Sequence, residues 1–76
     1  MTDYDRVQAG ERVKAFLHDE YVKRVLVRLE ENALRRFKQA TTDEGLREAQ
    51  AIARVTDAFV GLLLQIVEEG ELAKNA

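Results

Sequence analysis

Leu46, Ala49, Ala53, Thr56, Val60, Leu63 and Val67 follow one another at alternating steps of three and four. Strand side chains alternate with period two, so no strand keeps that spacing; a helix does, and it places all seven residues on one face. The seam is heptad-like and commits the second half of the chain to one long helix. Beside it runs a second row, Ile52, Val55, Phe59, Leu62 and Ile66, at the same spacings. The early part of this helix is rich in alanine (Ala49, Ala51, Ala53, Ala58), which permits close helix approach, and the later part is bulky. The spacing predicts a helix over about 42–69, ended by Gly70 as the residue after the C-cap, with Leu72 folding back on the last turn.

Upstream, Val22, Leu26, Leu29, Ala33 and Phe37 share one face, widened by Val25 and Leu34, which predicts a helix over about 20–39. Asp19 is a good N-cap for it, so the chain breaks at His18–Asp19. The connection Ala40–Thr42 is short enough to make its flanking helices antiparallel neighbours, and Thr41 with Glu44 reads as a capping box. The first segment carries Thr2, Asp3 and Asp5, a cap with acids in the first turn, but Gly10 weakens a helix by about 1 kcal/mol relative to Ala. Val13, Phe16 and Leu17 resume helical spacing, so the helix is placed at about 11–17, with Asp3 as the earliest start. The expected fold is all-α: a long antiparallel helical hairpin with a short N-terminal helix packed across its open end, in one domain spanning 1–76.

A chain of 76 residues buries only about 60% of its unfolded surface, and small folds compensate with disulfides, a metal or oligomerisation. The chain has no Cys and one His, His18, which removes disulfides and leaves no second imidazole for a metal site. Oligomerisation remains. Phe59–Val67 is a run of nine positions without a charge, far short of the roughly 20 residues that span a membrane. No membrane partner is expected, and the polar start MTDYDR is not a signal peptide.

Geometry directs attention to that run. A helix of roughly 28 residues is about 42 Å long and one of roughly 20 about 30 Å, so the last helix overhangs its neighbour. Phe59, Leu62, Leu63, Leu64, Ile66 and Val67 point in nearly every direction around the axis, and a helix apolar all round is normally buried all round. These six residues form the expected oligomer interface. The competing reading is that the first helix covers them within a monomer, leaving Leu64 exposed.

The chemistry-bearing residues are few. His18 beside Asp19 sits at a helix junction without a second partner, the chain contains no Ser, and the pairs Glu44/Glu48 and Glu68/Glu69 lack the Glu-x-x-His pattern of metal-binding bundles. No catalytic residue, metal ligand or cofactor is expected, and the chain reads as a non-enzyme. Residues 20–40 carry six basic against three acidic side chains, and residues 41–76 three basic against seven acidic. Arg24, Arg28 and Arg35, with Arg36 beside them, form a basic face suited to phosphates or to an acidic protein surface. No aromatic interleaves them in a way that suits base stacking, which favours complementarity between helices.

The run AFLHDEYVKRVLVRLEENALRRF, a short polar turn, LREAQAIARV and VEEGELA together resemble a group of small helical proteins encoded by tailed bacteriophages near head and packaging genes. The likeness covers about 13–73. It implies a phage structural or assembly protein in the host cytoplasm or the virion, with another phage structural protein as partner besides the chain itself. The alternatives are a nucleic-acid-associated packaging or regulatory protein that uses the basic face, and a small inhibitor or adaptor of a host protein.

Overall fold

The computed structural model describes residues 2–76; Met1, the first residue of the expected domain, lies outside them. The chain is all-α, with α1 over Asp3–His18, α2 over Glu20–Gln39 and α3 over Asp43–Lys74. Each start is capped by a side-chain oxygen. The Asp5 backbone N–H donates to Thr2 Oγ1 at 3.1 Å, and the Thr2 N–H donates back to Asp5 Oδ2 at 3.3 Å. Asp19 alone separates α1 from α2, its Oδ1 accepting from the Tyr21 N–H at 2.8 Å and the Val22 N–H at 3.1 Å. At α3 the cap is Thr42, whose Oγ1 accepts from the Gly45 N–H at 3.0 Å. The Thr41–Glu44 capping box therefore does not form: the helix starts one residue later, where the third position is Gly45 and has no carboxylate to return the bond.

Two further expectations are corrected, and both turn on a glycine. The N-terminal helix is not a short piece over 11–17 but 16 residues long, and α3 passes through Gly70 to Lys74 instead of stopping at Glu69. Gly10 and Gly70 are both buried, and they meet. A Cβ on Gly10 would lie 2.9 Å from Gly70 Cα, and one on Gly70 would lie 2.9 Å from both Gly10 Cα and the Arg6 carbonyl oxygen. Neither glycine has positive φ. Their missing side chains serve close approach of two helix backbones, not a cap.

α1 runs antiparallel to α3: Asp3 lies by Ala73, Gly10 against Gly70, and Val13 by Ile66. Flanking the glycines, Lys14 pairs with Glu71 at 3.6 Å and Lys74 with Glu11 at 3.5 Å. These exposed pairs contribute little each, about 0–1 kcal/mol. α2 packs on the other end of α3, near the connection, where Arg36 and Gln39 come up beside Gly45 and Ala49, and Ala33 and Ala49 are buried. The packing of α3 is more extensive with α1 than with α2, so the N-terminal helix is a principal partner of α3 and not a lid on a hairpin. Thr56 is buried in the seam without penalty, because its hydroxyl donates to the Ile52 carbonyl at 2.9 Å.

The residues buried between the helices are the small ones, Gly10, Ala33, Ala49, Thr56 and Gly70. Large side chains sit at the margins, and none is fully buried among the described residues. The consequence is measurable in the shape. A compact chain of 8.7 kDa exposes about 4,700 Å², whereas this one exposes 6170 Å². Its radius of gyration is 16.1 Å, against about 11 Å for a compact domain of that length. The extents of 50 × 24 × 15 Å describe a flat rod whose long dimension is that of α3.

Candidate association surface

Two shallow grooves fix which sides of the helices face the same way. At the connection end, Arg36 and Gln39 of α2 line a groove with Gly45 and Glu48 of α3. At the other end, Ala9, Arg12 and Val13 of α1 line one with Ile66. At about 100° per residue, Val55, Phe59, Leu62 and Ile66 all project within about 60° of Glu48. On α2, Val25 and Leu29 project within about 40° of Arg36. On α1, Phe16 lies two turns beyond Ala9 on the same side. One side of the molecule therefore carries Phe16, Val25, Leu29, Val55, Phe59 and Leu62, with Ile66 half-buried among them. Val55 is 70% exposed, Leu62 59% and Phe59 45%.

The six residues expected to form an interface divide three ways. Phe59 and Leu62 lie on this side and are exposed, and Ile66 lies on it half-buried. Leu63 and Val67 are half-buried and share the direction of the buried Ala49, so they pack within the chain. Leu64 is exposed about 160° away from Glu48, on the far side of α3. Sequence reasoning saw the row Ile52–Ile66 and the widening of α2 by Val25, but did not place Phe16, Val25, Leu29 and Val55 on a common surface. The signal was present as heptad steps in both helices; what was missing was the relative rotation of the helices.

The four arginines also separate. Arg24, Arg28 and Arg35 point away from α3, opposite the buried Ala33, interspersed with Glu20 and Glu31. The Arg24 guanidinium lies 5.7 Å from the centre of the Tyr21 ring, a cation–π contact that occupies the ring face. Arg36 turns instead toward the groove it shares with Glu48. Neither of these two forms an ion pair among the described residues.

Asp19 and Glu69 are engaged within the fold. Asp19 caps α2 with the carboxylate that a His18 dyad would need, and Glu69 accepts from the Gln65 amide at 3.1 Å. Among the described residues no group of three or more His, Cys, Asp and Glu side chains is arranged to hold a metal ion. By length and composition α3 is long and apolar enough to cross a membrane, which the nine-residue run alone is not. Arg54 and Asp57 lie within it, on the sides turned away from the apolar row. Compared with family models, curated proteins and solved structures, the chain matches none.

Proposed function

We propose that this chain is a non-enzymatic structural or assembly protein that works by associating with its own copies through the side of α3 centred on Phe59 and Leu62. One observation carries the reading. The chain exposes 6170 Å², about 1,400 Å² more than a compact chain of its mass, and the excess includes a row of large apolar side chains on one side. Burying such side chains contributes about 1.5–3 kcal/mol each before entropy is counted. The resemblance to small tailed-phage proteins supports a role in virion assembly or packaging, in the host cytoplasm or the virion, with another phage structural protein as a further partner.

Two other readings are weaker. A nucleic-acid role would use Arg24, Arg28 and Arg35, yet Glu20 and Glu31 share their face and the net charge is −2. Insertion of α3 in a membrane would carry Arg54 and Asp57 into hydrocarbon at about 2.5–3.5 kcal/mol each. The test is the mass of two variants by size exclusion with light scattering. Leu62→Glu is expected to give single chains, while Leu64→Glu keeps the wild-type mass. Equal behaviour of the two variants refutes the assignment of this side.

A further inference from the structure

We propose that the outer stripe of α2 is a second docking surface, which takes an amphipathic helix of net negative charge from a different protein. It rests on the further partner proposed above, to which it gives a place and a chemistry, and it lies apart from the Phe59–Leu62 side. Two shallow grooves run along this stripe and meet at Glu31, one reaching back to Glu20 and the other forward to Lys38. Together they extend for about 27 Å of helix. Lys23, Val27, Glu31, Leu34 and Lys38 follow at steps of four, four, three and four, so they stand in one line. Val27 is 52% exposed and Leu34 55%, and a lysine stands one turn outside each. Arg24, Arg28 and Arg35 flank the line.

Little of this charge is answered within the chain. The two grooves are lined by five basic and two acidic side chains, and Lys23 with Glu20, at 3.7 Å and exposed to solvent, is an ion pair between neighbours on one helix. Arg24, Arg28, Arg35 and Lys38 make no ion pair among the described residues. α2 turns the buried Ala33, not this stripe, toward the acidic α3. A helix that answers the line carries apolar residues seven apart, acids beyond them, and a base or hydroxyl against Glu31. The acids of α3 are placed otherwise: Glu71 is paired with Lys14, Glu69 accepts from Gln65, and Arg47 and Arg54 stand on its outer side. A nucleic acid fits less well than a protein helix. Its phosphates repel the central Glu31 and offer Val27 and Leu34 no apolar contact, and the Arg24 guanidinium occupies the Tyr21 ring face.

The test uses the full chain and a fluorescent synthetic peptide of about 20 residues, long enough to hold a helix. The peptide carries two leucines seven apart, a lysine between them, and glutamates at its ends and flanks. Fluorescence anisotropy is expected to show saturable binding. The double variant Arg28→Glu, Arg35→Glu should weaken it about tenfold, and Val27→Gln with Leu34→Gln should weaken it as well. Both variants should keep the wild-type mass by light scattering. Absence of binding, or unchanged affinity in either variant, overturns the docking surface. Equal binding of polyglutamate of the same length overturns the part given to the apolar pair, and tighter binding of a DNA duplex assigns the stripe to phosphates instead. A fall in mass on charge reversal makes the occupant a second copy and overturns the separate partner. A single-chain wild-type mass with the peptide bound at α2 removes the proposed self-association and supports this surface.

Discussion

Replacing Gly70 and Gly61 with alanine, each alone, should move stability in opposite directions. In a helix interior the change from Gly to Ala is worth about 1 kcal/mol in favour of Ala. At Gly61 an added Cβ meets nothing within 4 Å, so that gain stands undiminished. At Gly70 the same atom would lie 2.9 Å from Gly10 Cα and from the Arg6 carbonyl oxygen. Both are backbone, so no side chain can swing aside, and α1 and α3 must part by roughly 0.5–1 Å. Overpacking of this kind costs about 1–3 kcal/mol, which leaves Gly70→Ala about 1 kcal/mol less stable after the helix gain. For a domain of this size 1 kcal/mol corresponds to about 4–8 °C in Tm. Thermal unfolding followed by far-UV circular dichroism reads both variants, at one protein concentration because association raises apparent stability. A Tm for Gly70→Ala that rises like that of Gly61→Ala would refute the glycine crossing.

Further outcomes follow from the caps and the flanking ion pairs. Thr42→Ala removes the bond to the Gly45 N–H and should cost about 1 kcal/mol, while Thr41→Ala should be close to neutral; urea unfolding of the two separates them. A double-mutant cycle on Lys14 and Glu71 should give a coupling below about 1 kcal/mol that fades as salt is raised. A larger, salt-insensitive coupling would mean that this pair is shielded from solvent.

The bounds of α2 were legible because Asp19 caps its start and the four-and-three spacing of Val22 to Phe37 runs without a gap. Gly10 and Gly70 misled for one shared reason. Each was read as a local signal, a weak point in one helix and the end of another, when each answers to the other across sixty residues of sequence. A meeting of that kind has no local signature. Thr41 and Thr42 differ as caps only by the register at which α3 begins, a one-residue choice that both sequence patterns allow. On α3 both apolar rows were visible. Which row turns inward is decided by Ala33, Ala49 and the two glycines, whose small size sets how closely and at what rotation the helices meet. That rotation takes Leu63 and Val67 into the chain and leaves Val55, Phe59 and Leu62 outside.

The central claim is that this fold is completed by its own copy, and the absolute mass of the wild-type chain across a dilution series tests it most directly. Light scattering is expected to give a multiple of 8.7 kDa over the working range, falling toward the single chain only at high dilution. A mass of 8.7 kDa at every concentration would contradict the account and leave the Phe59–Leu62 side to a different partner.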